Sequence, residues 1–357
     1  MKKVLFIIIT IIILIGLIFV FWFNNSLTGD SKGKEVEIPV PAGSSVKEII
    51  NILSNKKIIK NADTCYIYAK MHKINNLQAG KYNLKEGLGC IESLKVIAGG
   101  DVIDDSLTLK FIEGKRLKTY AKVISEKYKY TEEEILEKWN NKEYLKELIE
   151  KYWFLTDEIL NDNIYYALEG YLYPDTYKFR QEASIEEITE KLLDSTKGYL
   201  DEYKDKLSKL NDNKVDTMHK MLTLASIIEL EGANSNDREG IASVFFNRLD
   251  NNWSLGSDVT TYYAAQIDFT DRDLYQKEIE EINAYNTRPA AMAGKLPVGP
   301  ICNPSIKSIK AIFNHTKTDY FYFVADKNGK TYFSKTYEEH ANKIKELKDS
   351  GMWYEYK

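Results

Sequence analysis

An unbroken apolar run from Val4 to Phe23, interrupted only by Thr10 and Gly16, constrains this chain more than any other feature. At about 1.5 Å per helical residue the run covers roughly 30 Å, the thickness of a bilayer's hydrocarbon core. Met1-Lys2-Lys3 precedes it, and two lysines on the short side favour a cytoplasmic N-terminus with the rest of the chain outside. Trp22 falls at the outer edge, where an indole tolerates the interface. A cleaved signal peptide is the alternative. The run exceeds an h-region of about 7–15 residues, and Phe23-Asn24-Asn25 offers no small-residue cleavage site. A single N-terminal transmembrane helix, spanning 1–23 with its cytoplasmic start, is therefore expected, anchoring the protein in the cell membrane.

The rest of the 357 residues is soluble in character and too long for one ordinary domain. Over the whole chain, 49 basic and 53 acidic residues leave a net charge of −4, without the basic excess of a nucleic-acid binder. The three cysteines, Cys65, Cys90 and Cys302, are widely spaced and odd in number, so neither a disulfide framework nor a zinc pattern can be drawn from them. None of the four histidines falls in an HExxH-type pair. Neither a metal nor a cofactor is expected.

Residues 24–34 are polar, with Gly29, Ser31 and Gly33, and read as a flexible linker. Glu35 to Gly43 alternates like a strand and ends in a turn; Ser45 and Glu48 then form a capping box that opens a helix. A second strand is expected around Ala79–Tyr82, followed by a helix from Cys90 to Ala98 stopped at Gly99-Gly100. From Gly43, apolar residues fall at +3, +6, +7 and +10 (Val46, Ile49, Ile50, Leu53), and the same offsets recur from Gly114 (Leu117, Tyr120, Ala121, Ile124) after a strand at Leu107–Ile112. The recurrence reads either as a duplicated strand–turn–helix unit or as ordinary α+β packing. Thr131 to about Tyr152 and Ser184 to Lys209 are charged helical regions, each opened by a capping box. A hairpin turns at Asp326-Lys-Asn328-Gly329, and Thr336 with Glu339 caps a last helix.

Chemistry concentrates in Met221–Gly232, a helix with two glutamates two residues apart. On a helix they point roughly 200° from each other and cannot serve one small site. Glu231 continues the stripe of Leu224, Ile227 and Ile228, whereas Glu229 lies beside Leu222, Ala225 and Ser226. A carboxyl on an apolar stripe is desolvated and holds its proton to higher pH, as a glycosidic general acid must. Glu231 could instead reach solvent at the helix end or pair with Arg238. Downstream, Ser254–Tyr263 around Asp258, Ala284–Arg288 and Leu296–Pro304 are rich in hydroxyl and amide groups, which suit a sugar's edges.

The ordered set Glu169-Gly-Tyr-Leu-Tyr-Pro-Asp-Thr-Tyr177, Ala225-Ser-Ile-Ile-Glu-Leu-Glu231, Ala242–Leu249, Ser257-Asp258 with Thr260, Tyr285-Asn-Thr287, Leu296-Pro-Val-Gly-Pro300 and Tyr322-Phe-Val-Ala325 resembles the endolytic murein transglycosylases of the MltG/YceG-like family. The resemblance implies a LysM-like αβ module at 35–105, a second strand–turn–helix unit with a helical connector at 106–210, and a mixed α+β catalytic domain at 211–357. It implies Glu231 as catalytic acid/base, with Asp258, Thr260, Tyr285, Asn286 and Glu229 as substrate-binding candidates. The implied reaction cuts peptidoglycan glycan strands outside the membrane and leaves 1,6-anhydro ends, with synthesis or division proteins as further partners. Two alternatives stand beside it: a muramidase using Glu231 with Asp258 or Glu229, and a non-catalytic anchored wall-binding protein.

Overall fold

The computed structural model describes residues 2–103, 106–210, 214–232 and 237–353, and the chain condenses into two compact units, residues 1–105 and 106–357. The architecture is mixed α+β; among the described residues the strands form three two-stranded antiparallel sheets.

The first unit runs α1 (Lys2–Leu27), β1 (Glu35–Val40), α2 (Val46–Asn55), α3 (Ala62–Met71), β2 (Gly80–Lys85) and α4 (Cys90–Gly99). Within α1, Leu5–Leu27 has a mean hydropathy of 3.2 and is long enough to cross a bilayer. Its side chains from Leu5 to Trp22 are exposed, as suits a helix that is apolar all round, and the helix is compatible with single-pass anchoring. The expected linker at 24–34 is not loose. The helix continues to Leu27, whose side chain is buried in this unit's core, and the amides of Asp30, Ser31 and Gly33 donate to Gly87 and Glu86 carbonyls at 3.0–3.2 Å. A Cβ on Gly29 would lie 1.9 Å from the Gly87 carbonyl oxygen. The glycines that suggest flexibility serve close backbone approach instead.

β1 and β2 pair from Glu35↔Lys85 to Val40↔Gly80, turning Ile38, Val40, Tyr82 and Leu84 inward against Ile49, Ile50 and Leu53 of α2. The capping box is present: Ser45 N–H donates to Glu48 at 2.7 Å, and Glu48 N–H to Ser45 Oγ at 3.3 Å. The cysteine expectation is corrected, because Cys65 of α3 and Cys90 of α4 form a disulfide with Cα atoms 5.5 Å apart. Closing a loop of that size stabilises the unit by about 3 kcal/mol.

The second unit runs β3 (Leu107–Lys110), α5 (Leu117–Ser125), α6 (Glu132–Trp139), α7 (Lys142–Lys151), β4 (Thr176–Phe179), α8 (Ile185–Leu200), α9 (Lys204–Leu210), α10 (Met218–Glu231), α11 (Arg238–Asp250), α12 (Asp258–Ala264), α13 (Gln276–Glu280), α14 (Ile306–Asn314), β5 (Tyr322–Ala325), β6 (Thr331–Ser334) and α15 (Tyr337–Asp349). The residues α5 buries are Leu117, Tyr120, Ala121 and Ile124, the four at the recurring offsets. β3 pairs with β4 from Leu107↔Phe179 to Lys110↔Thr176, so strand–helix–helix–strand order occurs in both units, lengthened by α7 in the second. The single helical region expected at Thr131–Tyr152 breaks at Asn140-Asn141, where the Asn141 side chain caps α7 by accepting from the Glu143 and Tyr144 amides.

One hydrophobic core extends from Leu109 to Ile312, and α10 runs through it, flanked by α11 and α14. From Met218 to Ile228 every α10 side chain except Lys220 is buried. A helix enclosed on all sides has no single apolar stripe, so the stripe alone does not separate Glu231 from Glu229. Their partners do.

Candidate active site

Glu231 closes α10, and Gly232 follows because nothing larger fits: a Cβ there would lie 2.8 Å from Arg238 Cγ and 3.0 Å from the Ile228 carbonyl. The Glu231 side chain is partly buried and, among the described residues, accepts a hydrogen bond from Ser257 Oγ at 2.5 Å. Burial raises its pKa above the ordinary carboxyl value, the Ser257 bond opposes that, Asp258 raises it further, and Arg248 and Arg288 lower it. The balance is upward: a carboxyl that keeps its proton to higher pH, with two guanidinium groups near enough to favour the carboxylate once the proton leaves.

Ser257 is the residue before α12, yet its hydroxyl does not cap that helix; it is committed to Glu231. Its position is fixed from below. Ser257 N–H donates to Thr287 Oγ1 at 3.1 Å, Thr260 Oγ1 donates to Ser257 O at 2.7 Å, and the Thr260 and Thr287 hydroxyls share a proton contact at 2.8 Å. Asn286 is fully buried. It accepts from Thr261 Oγ1 at 2.8 Å and donates to the carbonyls of Glu278, Ile279 and Glu281. Tyr285 is buried between Tyr165 and Tyr263, each 4.8 Å away ring to ring. Of the residues singled out in the sequence, then, Glu231 and Asp258 reach the surface side of this arrangement, and Thr260, Tyr285 and Asn286 lie beneath it.

Asp258 is 56 % exposed and paired with Arg288, whose Nε donates to Oδ1 at 2.7 Å. Glu229 faces elsewhere. It accepts from Ser305 N at 2.9 Å, Ser305 Oγ at 2.5 Å, Ser308 Oγ at 2.6 Å and Arg238 at 3.0 Å. Burial raises its pKa, but the serine bonds and the Arg238 charge outweigh burial and leave it below the ordinary value. Arg238, one conceivable partner of Glu231, pairs with Glu229.

Sequence reasoning passed over Ser257, Arg248, Arg288 and Glu169 as site residues. Arg248 on α11 donates through Nε to Phe321 O at 2.8 Å and through Nη1 to Leu255 O, tying the hairpin to the segment before Ser257. Glu169 is buried where three distant segments meet. It accepts from Leu117 N–H at 2.8 Å and Tyr263 OH at 3.1 Å, with Asn303 Nδ2 at 3.4 Å. Burial raises its pKa to about 8 against the lowering effect of those donors and of Arg116. Its one sequence signal was an acid set among Leu168, Gly170 and Tyr171. Gly170 takes a φ of +84° with Pro300 so close that a Cβ would sit 2.4 Å from it, which brings the Glu169–Tyr177 and Leu296–Pro304 segments together.

Among the described residues no three His, Cys, Asp or Glu side chains converge as metal ligands. A surface concavity of about 550 Å³ lined by Ala265, Lys277, Glu278, Glu280 and Glu281 lacks Glu231; Glu278 there is held down to about 2, chiefly by its hydrogen bonds from Arg272 and the Tyr275 amide.

A mixed α+β chain with one N-terminal apolar helix long enough to cross a membrane, and a raised carboxyl at a helix end held by a serine beside two arginines, defines the class of protein. Within that class the chain belongs to the YceG-like family, whose model matches residues 38–346. It is 36 % identical over 319 residues to the endolytic murein transglycosylase of Bacillus subtilis strain 168, covering 89 % of this chain and 85 % of that relative. It is 29 % identical over 337 residues to the endolytic murein transglycosylase of Streptococcus pneumoniae serotype 2, covering 89 % of this chain and 59 % of that longer relative. The crystal structure of a yceG-like protein from Listeria monocytogenes matches with a TM-score of 0.61 at 35 % identity, over 87 % of this chain and 99 % of the other.

Proposed function

We propose that this chain is an endolytic murein transglycosylase. It cuts the β-1,4 bond between N-acetylmuramic acid and N-acetylglucosamine inside peptidoglycan strands and leaves 1,6-anhydro ends. Glu231 gives its proton to the glycosidic oxygen as the C1–O bond breaks. The carboxylate then takes the proton of the C6 hydroxyl of the same muramoyl residue, whose oxygen closes on C1. No water is consumed, and one carboxyl suffices because the substrate supplies the nucleophile; hydrolysis normally needs a second.

The observation that carries the reading is the carboxyl of Glu231, set at the end of α10 against Ser257 with its pKa raised by burial, since a raised pKa favours the protonated form that a proton donor needs. The names of the B. subtilis and S. pneumoniae relatives agree with it. Asp258, the second carboxylate a muramidase would need, is spent on Arg288. Of the substrate-binding candidates, Asp258 touches sugar in this reading. Thr260, Tyr285, Asn286 and Glu229 act through the segments they brace.

The anchor holds the catalytic part outside the cytoplasmic membrane. Lys2 and Lys3 on the short side support that orientation, as does the Cys65–Cys90 disulfide, which belongs in an oxidising compartment. Residues 35–105 form the LysM-like module, a reading supported by their β1–α2–α3–β2 order, with 106–210 as connector and 211–357 as catalytic domain. Strands near their site of synthesis, and the proteins that make them, are the partners. Product mass on purified strands tests the reading: an anhydro end is lighter than a hydrolytic end by one water, and Glu231→Gln should release neither. Reducing ends alone from the wild type would sink it.

A further inference from the structure

The β5–β6 hairpin has two faces of different character. Phe323 and Phe333, directly paired across it, join the core of the second unit. The opposite face carries Tyr322, which stays outside that core together with its ring neighbours Trp253 and Tyr337. Trp253 ends the turn after α11 and is 42 % exposed; Tyr337 opens α15 and is 70 % exposed. Ring centroids follow one another at 6.0 Å from Trp253 to Tyr322 and 6.2 Å from Tyr322 to Tyr337. Phe321 backs Trp253 at 4.8 Å and His340 backs Tyr322 at 5.3 Å.

This row is physically joined to the Glu231 site through Arg248. The Arg248 guanidinium lies 5.7 Å from the Tyr322 centroid and donates to Phe321 O on one side and Leu255 O on the other. Leu255 is two residues before the serine that holds Glu231. The same guanidinium acts electrostatically on Glu231.

We propose that Trp253, Tyr322 and Tyr337 form a stacking platform for the sugar rings of a glycan strand, leading away from Glu231; this inference rests on the glycan-cleaving reading above. A strand cut in its interior continues past the scissile bond, so rings on at least one side must lie along the surface that adjoins the acid. Neighbouring rings meet edge to face, at 72° and 60°, and a pyranose, with an apolar C–H face and a polar rim, fits single ring faces beside a guanidinium rather than a continuous aliphatic patch. Large aromatic side chains also offer contact area at little conformational cost, having only two rotatable angles.

The test uses the full chain in detergent. Peptide-free strands of alternating N-acetylglucosamine and N-acetylmuramic acid are titrated against Glu231→Gln alone and combined with ring substitutions. Trp253→Ala and Tyr337→Ala should each weaken binding by about tenfold, equivalent to about 1.4 kcal/mol, while Trp253→Phe and Tyr337→Phe stay within about threefold because a ring remains. With Glu231 intact, the alanine variants should raise KM for long strands and keep kcat. Both rings lie outside the core, so Tm should hold; should Trp253→Ala unfold the chain, Tyr337→Ala carries the test alone. Alanine variants that bind as tightly as Glu231→Gln would overturn the platform. Because binding is read without cleavage, a wild type that leaves strands uncut would sink the enzymatic reading and leave the platform to be judged separately.

Discussion

The two sides of the last turn of α10 hold the same side chain in opposite states. Glu229 is 7 % exposed, yet it meets two serine hydroxyls, a backbone amide and an arginine, and its pKa falls. Glu231, two residues on, meets one serine hydroxyl, has a neighbouring aspartate, and its pKa rises. Burial pushes both upward; the number and charge of the donors decide which one ionises. Glu169 extends the comparison, since three neutral donors and the more distant Arg116 leave it at about 8. Glu229 is thus built to stay charged and hold α10 to α11 and α14, and Glu231 to keep its proton to higher pH.

The strongest way to break the contrast is to neutralise each glutamate in turn. Glu231→Gln should cut strand cleavage by at least about a hundredfold, as loss of a general acid does, without lowering Tm. Glu229→Gln should do the reverse. It leaves Arg238, 12 % exposed, without its countercharge, and breaking a buried pair from one side costs about 3 kcal/mol, or roughly 6–12 °C in a unit of this size. Thermal melts and product release, measured on both variants, would undo the comparison if Glu229→Gln melted with the wild type.

How much of this was legible in the sequence depends on how far each feature reaches along the chain. Capping boxes at Ser45/Glu48, Thr131/Glu134, Ser184/Glu187 and Thr336/Glu339 close within one turn, and all four are present. The Asp326–Gly329 hairpin is equally local, with Gly329 at a φ of +80°. β4 was missed because its four residues become a strand only by pairing with β3, some 70 residues earlier. The Cys65–Cys90 bond needs α3 and α4 in place before any spacing can suggest it. Glu169 was passed over for the same reason, with hydrogen-bond partners 52, 94 and 134 residues away. The opposed directions of Glu229 and Glu231 follow from helical geometry alone. What fills those directions does not, because Ser257, Ser305 and Ser308 arrive from later segments.

A finer probe lies in two adjacent residues with opposite effects on Glu231. The Ser257 hydroxyl lowers its pKa and the Asp258 charge raises it. The acid works while protonated, so the basic limb of kcat/KM against pH follows that pKa. Ser257→Ala should therefore move the limb to higher pH. Asp258→Asn should move it lower, by removing a negative charge and releasing Arg288 from its partner. Ser257 does not cap α12, so its loss should register in the pH profile rather than in stability. Shifts of the same sign in both variants would mean that Glu231 does not set the limb.

The smallest effect tests whether the third glutamate really sits on the protonated side of the comparison. Glu169 has a pKa of about 8 in the folded chain against an ordinary 4.5, so between those values the native state binds a proton that the unfolded state has lost. Stability must then fall as pH rises through that window. Glu169→Gln keeps a carbonyl for the Leu117 amide and offers an amide NH2 from which the Tyr263 hydroxyl can accept, but it cannot ionise, and its Tm should decline less from pH 5 to pH 8. Placing both chains on Glu231→Gln removes the slope due to Glu231, whose pKa is also raised. His219 and His340, both held below their ordinary value by burial, contribute the opposite slope, but equally to the two chains, so it cancels in their difference. Coincident Tm curves would mean that Glu169 is already ionised at pH 5, and that neutral donors with the more distant Arg116 can do for a buried carboxyl what Arg238 does for Glu229.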